Sequence, residues 1–369
     1  MLKSLMGVTT DDLQFEVTQY TPGTGLAWSR LFPLKYTRTF DLKGFEGNEG
    51  IPVSADRVSF NVRAPKKKRR TVGNWTGELS KIAVAREKNE IEINEYLDAE
   101  IVSAAKPEDK AAAQELLDYV YDDVRFCNNA MDYKTEIEAL MVASNGKRVF
   151  NKQVDGKMAQ QEELNFNIPA DNFGGVVTKW DNAEADGLAD IATAQKKIQK
   201  KGLPKPQYAF MSQLAFDRLC AQKKTIEKVA SALMQVTGLA SADGVTVKSI
   251  NSYQRRHGYP QIAVIDSYVT IEDAEGNFTT IQPWNDVSVV LSPSTQLGWT
   301  YYKNVPSVQN TEAAQTYGGY YKITRYSEVN PMLEVTTAEA YVQPVLNNRV
   351  SLAYINTMNT SGWNDGAAG

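Results

Sequence analysis

The residues able to do chemistry in this chain are few in type and scattered in spacing. His257 is the one histidine. A Ser–His–Asp triad therefore has a single candidate base, set in QRRHGYP, which reads as a turn between a strand and Pro260. Cys127 and Cys220 are the two cysteines. Two thiols build neither a disulfide framework nor a four-cysteine metal site, and one histidine excludes histidine-rich metal chemistry. No G-x-x-x-x-G-K-[ST] occurs, since NGK at 145–147 lacks the first glycine. No G-x-G-x-x-G follows a strand, and H-E-x-x-H, C-x-x-C and G-x-S-x-G are all missing. Carboxylates are dense between 107 and 145, but a glycosidase needs two of them facing each other across a cleft. These run along one helix face and read as a solvated acidic surface. The expectation is no catalytic residue, no cofactor and no metal.

One charged run stands out. Arg63, Lys66, Lys67, Lys68, Arg69 and Arg70 lie together with no acid among them, and Trp75 follows closely. Such a run is a solvated loop, a nucleic-acid contact or a contact with an acidic protein surface. The chain supplies an acidic surface of its own: EKNEIEINEYLDAE at 87–100 carries six acids against one base. The net charge of −4 speaks against a general nucleic-acid binder, because neutralising phosphates needs a positive surface.

The 369 residues, 42% hydrophobic and 23% charged, are enough for a sizeable core and for two or three domains or one large one. No apolar run approaches the roughly 20 residues of a membrane-spanning helix. The N-terminus has no signal-peptide pattern. These features read as a soluble cytoplasmic protein.

The elements that must position these residues follow from periodicity. MLKSLMGVTT suits one short helix, and the stretch to residue 50 reads as an extended arm or an N-terminal strand. Val58, Phe60 and Val62 alternate with polar residues, as do Ile82 and Val84, so 51–86 reads as a long β-excursion with the basic run at its tip. Residues 107–145 have helical spacing, with Pro107, Glu108 and Asp109 at the start and Asn145–Gly146 as the stop. A second helix is expected at 183–201. Strands are expected at 147–152, 164–169, 207–211, 245–250, 261–265, 287–291 and 297–303, with helices from Ser212 and over 225–236. Strands at 267–272 and 278–282 form a hairpin across DAEGN. The stretch 320–357 is strand-like, with a hairpin turn at Asn347–Asn348, and is expected to pair with strands near 147–169.

This order of elements resembles tailed-phage major capsid proteins of the Hong-Kong-97-like fold. IPVSADRVSFNVRAPKKKRRTVGNWTGELSKIAVAREKNEIEINEY at 51–96 is similar to the extended-loop region of the phage capsid protein E (lambda-type) family, including Ala64–Pro65 and the basic residues. PQYAFMSQLAFDRLCAQ at 206–222 resembles that family's strand followed by a helix. VTTAEAYVQPVLNNRVSLAYINT at 335–357 resembles its closing segment. The glycine common before Ala-Pro in some relatives is absent here.

The resemblance implies an α+β capsid fold. Its parts are an N-terminal arm (1–50), an extended loop (51–86), a peripheral domain with a spine helix at 107–145 (87–202), an axial domain (203–319), and return strands with a C-terminal tail (320–369). It implies a non-enzymatic major capsid protein that forms pentamers and hexamers of an icosahedral or elongated shell around double-stranded DNA. Its partners are then many copies of itself and packaged DNA bound without sequence specificity. Scaffolding, portal and decoration proteins are further partners open to it, and no membrane is involved. Its location is the virion, assembled in the host cytoplasm. Arg63, Lys66, Lys67, Lys68, Arg69, Arg70 and Trp75 are the expected subunit-interface residues. The alternative is a soluble enzyme with an α/β domain at 203–320.

Overall fold

The computed structural model describes residues 3–21, 25–44, 75–105, 109–154, 157–237, 245–272, 276–309 and 311–360. Helix α1 (Thr10–Gln19) starts at a reciprocal capping box between Thr9 and Asp12. That box places the first helix after the opening residues, not within them. A single turn, α2 (Trp28–Leu31), leads to β1 (Leu34–Tyr36) and β2 (Asp41–Gly44). β3 (Trp75–Glu78) pairs antiparallel with β2, and β4 (Ser80–Lys88) follows. Helices α3 (Glu90–Ala105) and α4 (Lys110–Asn145) come next. β5 (Lys147–Val154) and β6 (Lys157–Asn165) form a hairpin.

The chain then runs through β7 (Phe173–Gly174), α5 (Gly187–Lys200), β8 (Tyr208–Ser212), α6 (Gln213–Cys220), α7 (Lys223–Thr237) and α8 (Val247–His257). Strands β9 (Gln261–Ile265), β10 (Val269–Glu272), β11 (Phe278–Ile281) and β12 (Ser288–Ser292) follow. The last are β13 (Gly298–Lys303), β14 (Ala314–Gly318), β15 (Tyr321–Val329), β16 (Met332–Leu346) and β17 (Ala353–Asn356).

Two sheets organise the molecule. The first has six strands about β16. β15 pairs with residues 332–340 of β16, β4 with residues 334–342 and β13 with residues 341–346. β14 and β1 extend it beyond β15 and β13. The second sheet has the order β7-β17-β12-β8-β9. It is a shared wall. Ala209, Met211, Val289, Leu291, Ala353 and Ile355 point into one apolar core with α5, α6 and α8. Phe210, Val290 and Tyr354, one residue out of phase, belong to the core around α4 and the first sheet. The period of two along a strand turns alternate residues to opposite faces, and a sheet buried on both faces reads as a continuous apolar run such as Ser-Val-Val-Leu-Ser of β12.

α4 is the long strut of this framework. Its 36 residues span about 54 Å at 1.5 Å per residue. Asp109 accepts the Ala111 and Ala112 N–H groups at 3.2 Å and sets its start. It stops at Gly146, whose φ of 68° is left-handed. A Cβ there would lie 2.5 Å from Ile168 Cδ1, so glycine is needed for both conformation and space.

Several expected elements are corrected. Residues 245–250 do not form a strand. The side chain of Thr246 caps α8 by accepting the Ser249 N–H, and Val247, Ile250 and Gln254 recur at helical spacing. His257 is the last residue of that helix, not part of a turn. Asn347–Asn348 is not a hairpin turn. Asn348 is left-handed and opens a 3-10 turn, Arg349–Ser351, that carries the chain from the first sheet to the second. The hairpin turn in this stretch is Asn330–Pro331, between β15 and β16. The strands of 320–357 pair with β4, β13 and β12, whereas β5 and β6 pair with each other. β4 pairs with β16 along its length. The strand expected at 58–62 lies outside the described residues.

Candidate functional site

The acidic side of α4 is the first place where the structure departs from the expected solvated surface. Asp123, Asp132, Glu136 and Glu138 are buried. Asp123 meets Lys88 of β4 at 2.8 Å, with both side chains shielded from water. Asp132 accepts from Tyr20 at 3.0 Å and Tyr320 at 3.1 Å. Glu136 accepts the Ala27 and Trp28 N–H groups at 3.0 and 2.6 Å, capping α2. Glu138 is bonded to Arg148 of β5, which also donates to Gln343 of β16 at 2.8 Å. Asn128 accepts from Tyr321 at 2.9 Å.

The polar groups of the ladder thus hold several distant segments of the chain to one helix. Burial pushes the Asp132 carboxyl above its ordinary range against the hydrogen bonds from Tyr20 and Tyr320. Burial does the same to Glu136 against the N–H groups that it accepts. A signal for this existed in the sequence. Val124, Asn128, Met131, Thr135, Glu138 and Val142 are spaced 4, 3, 4, 3 and 4 apart, so half of the core stripe is polar, and all six are buried.

A second buried anchor lies on the first sheet. Arg325 and Glu334, both fully buried, pair at 2.8 Å. Glu334 also accepts the Leu5 N–H at 2.9 Å and the Ser4 hydroxyl. The N-terminal segment is therefore tied to the body by buried carboxylates at Glu334, Asp132 and Glu136.

The candidates for catalysis are not assembled. His257 is exposed, and its ring packs 4.4 Å from Tyr253 and 5.8 Å from Tyr259. Cys127 is buried and its thiol is pushed up to about 12 by burial, with Asp123 adding to it. Burial likewise pushes Cys220 up to about 11. Neither thiol supplies a thiolate near neutral pH. Among the described residues no cluster of three His, Cys, Asp or Glu side chains could hold a metal ion. A cavity of about 20 Å³ between the end of α4 and the second sheet is lined by Ser144, Asn285, Ser288 and Tyr354, which is room for one water. No helix of the described residues is long and apolar enough to cross a membrane.

What remains are surfaces. α3 buries only Ile93 and Tyr96 and turns Ile91, Leu97, Ile101 and Val102 to solvent beside its carboxylates. The β10–β11 ribbon is two strands wide and exposes Ile271 and Phe278. A two-stranded ribbon has little stability of its own in water. Of the expected interface residues, Arg63, Lys66, Lys67, Lys68, Arg69 and Arg70 lie outside the described residues. Trp75 opens β3 opposite Gly44.

Solved structures share this fold. A phage-related protein from Bordetella bronchiseptica RB50 aligns over 95% of this chain and 98% of its own, with a TM-score of 0.53 and 15% identity. A prophage protein from E. coli CFT073, provisionally assigned as a capsid protein, aligns over 95% of this chain and 99% of its own, with a TM-score of 0.54 and 14% identity. No family model and no curated protein matches the chain. The α+β fold implied by the resemblance is the fold of this chain.

Proposed function

We propose that this chain is a major capsid protein whose copies form the pentamers and hexamers of a closed shell around double-stranded DNA. One observation carries the reading: its fold is shared, over 95% of the chain, with a prophage protein provisionally assigned as a capsid protein. The shape of the molecule agrees. A shell subunit needs edges that fit neighbours, and the exposed helix α3 and the β10–β11 ribbon are such features. In this reading the six-stranded sheet with α4 is the peripheral body. The second core, with α5–α8, is the axial body that meets its copies around five- and six-fold axes. The location is the virion, and scaffolding, portal and decoration proteins are candidate partners.

The basic tip, Arg63 and Lys66–Arg70 with Trp75 beside it, is proposed to dock on an acidic surface of a neighbouring copy. Within one chain Asp118, Asp122, Asp123 and Glu138 of α4 are matched to Arg125, Arg86, Lys88 and Arg148. That points the tip toward α3. Exposed pairs contribute about 0–1 kcal/mol each and are screened by salt, but repetition over a shell makes them a specificity device.

Electron microscopy of the purified chain tests the main reading. Closed particles are expected, and a discrete monomer at all concentrations overturns it in favour of a soluble enzyme. Changing Lys66, Lys67, Lys68, Arg69 and Arg70 to Glu tests the tip. Unchanged particle yield at low salt would make it a merely solvated loop.

A further inference from the structure

Two stretches of the sequence hold bases without a single acid. Residues 191–216 contain Lys196, Lys197, Lys200, Lys201 and Lys205, and residues 245–265 contain Lys248, Arg255, Arg256 and His257. In a chain of net charge −4, this is a strong segregation of sign. The fold brings the two stretches together. β8 and β9 pair in parallel, so 208–212 lies beside 261–265. Gln195 of α5 reaches across to donate to Pro206 O at 2.9 Å and to Gly258 O at 3.2 Å. Gly258 is left-handed and ends α8, and Lys205 Nζ lies 3.2 Å from the position that a Cβ on it would take. The ends of α5 and α8 and the loop between α5 and β8 therefore form one continuous surface. The Lys197 ammonium is held below its ordinary range, by burial first and then by the charges of Lys201 and Lys200, as expected where cations crowd.

The bland reading is that these bases only offset the negative ends of two helix dipoles. That accounts for residues in the last turns of α5 and α8. It also covers Lys205, whose ammonium reaches the end of α8, but it does not account for Lys248, at the opposite end of that helix. A contact between copies of the chain is the other reading, and the composition speaks against it. Protein interfaces are depleted in Lys and carry an apolar centre. Within 191–216 and 245–265 one large hydrophobic side chain is exposed, Leu214, and it lies on α6, beyond β8 from the loop that carries Lys205. Lys196, Lys200, Lys205, Lys248 and Arg255 are all exposed, and beside them the rings of Tyr253, His257 and Tyr259 pack in a row. Cations without an apolar centre, flanked by aromatic faces, fit a flexible or regular polyanion that binds by releasing counterions.

We infer that the surface formed by the end of α5, the loop before β8 and the outer side of α8 binds the phosphate backbone of nucleic acid without sequence specificity. The inference deepens the shell reading by naming the face turned to the enclosed DNA, and only that orientation rests on it. Binding itself is a property of the single chain.

The test is fluorescence anisotropy of the full chain with a labelled random-sequence DNA duplex over a salt series from low to physiological. Three variant sets accompany the wild type. The first changes Lys196, Lys200, Lys205, Lys248 and Arg255 to Glu. The second changes the same five to Gln, which keeps the test open if reversal impairs folding. The third changes 66–70 to Glu. The wild type is expected to bind with a steep loss on adding salt. Both five-site variants are expected to weaken binding by at least about tenfold at low salt, and to flatten the slope of log K against log salt by about 0.9 for each lost phosphate contact. The 66–70 variant is expected to keep most of the binding. No binding by the wild type at low salt overturns the inference. So does wild-type affinity in the Gln variant, and so does loss of binding only in the 66–70 variant. Particle formation in the same samples, read by electron microscopy, bears on the shell reading separately. Particles lost in the five-site variants with DNA affinity unchanged would make this face a contact between copies and overturn the inference.

Discussion

α3 and α4 are consecutive helices, both rich in carboxylates, and they use them in opposite ways. On α4 four acids are buried, each bonded to a base, a hydroxyl or a backbone N–H from another part of the chain. On α3 the carboxylates stand in water among exposed apolar side chains, and two residues of sixteen are buried. The difference lies in what packs against each helix. β4, β5 and the N-terminal segment bring Lys88, Arg148 and Tyr20 to α4. Burying a charge is tolerable only where such partners arrive. An acidic helix therefore reads as structural or as docking surface according to its neighbours, not its composition.

The comparison breaks most visibly at Asp123. Lys88→Met leaves a buried carboxylate without its ammonium. Chemical denaturation should show a loss of about 3–5 kcal/mol. The double variant Lys88→Met with Asp123→Leu should recover most of it, because apolar replacements of a buried pair are often neutral. If the single variant costs under about 1 kcal/mol, Arg86, at 3.5 Å from the same carboxylate, suffices, and the buried pair is not what secures β4 to α4.

Packing gives the next largest effect. Leu140 on α4 is fully buried, and Leu140→Ala should cost about 2–5 kcal/mol. Ile101→Ala on α3, whose side chain is 67% exposed, should stay within about 0.5 kcal/mol in the isolated chain. Its effect should appear in particle yield instead. A large stability loss at Ile101, measured by denaturation of the unassembled chain, would mean that α3 is packed in solution and is not a free surface.

The pH dependence sharpens the contrast further. Asp132 and Glu136 have carboxyls raised in the folded state by burial. The folded chain binds their protons more tightly than the unfolded chain does. Their contribution to stability is fully present below the ordinary carboxylate values and is lost as pH rises through the raised folded ones. Asp132→Asn should flatten that fall in a series of thermal melts. A steeper fall after the substitution would show that the ionised form is the one favoured by the fold.

The smallest effect is expected on α3 itself. Glu95→Gln with Asp98→Asn should change the stability of the unassembled chain by under about 0.5 kcal/mol. It should reduce the salt sensitivity of assembly if the basic tip docks there. Salt sensitivity equal to the wild type would send the tip elsewhere.

Some of this was readable along the chain. α4 was legible because 36 residues keep one period between two clear end signals, and the β10–β11 hairpin because a turn sequence separates two short strands. α8 was not. Over the six residues of VTVKSI the apolar positions fit a strand as well as a helix, and only the Thr246 cap and the continuation to Gln254 favour the helix. The polar stripe on α4 was visible, but its partners Lys88, Arg148 and Tyr20 lie in other elements, so nothing along the helix tells buried acids from solvated ones. The two acid-free basic stretches were visible separately. Their meeting depends on β8 and β9 pairing in parallel.

By itself the sequence determined what depends on near neighbours: helix periods, caps, the sign of local charge, and the lack of motifs for phosphate, metal or nucleophile chemistry. It also carried the order of elements that resembles a capsid subunit. Tertiary structure alone decided which carboxylates are buried, which strands share a sheet, and which bases lie side by side. These are properties of pairs far apart in the chain. Whether a charge is buried with a partner or left in water is settled by the packing of distant segments, which local sequence does not encode.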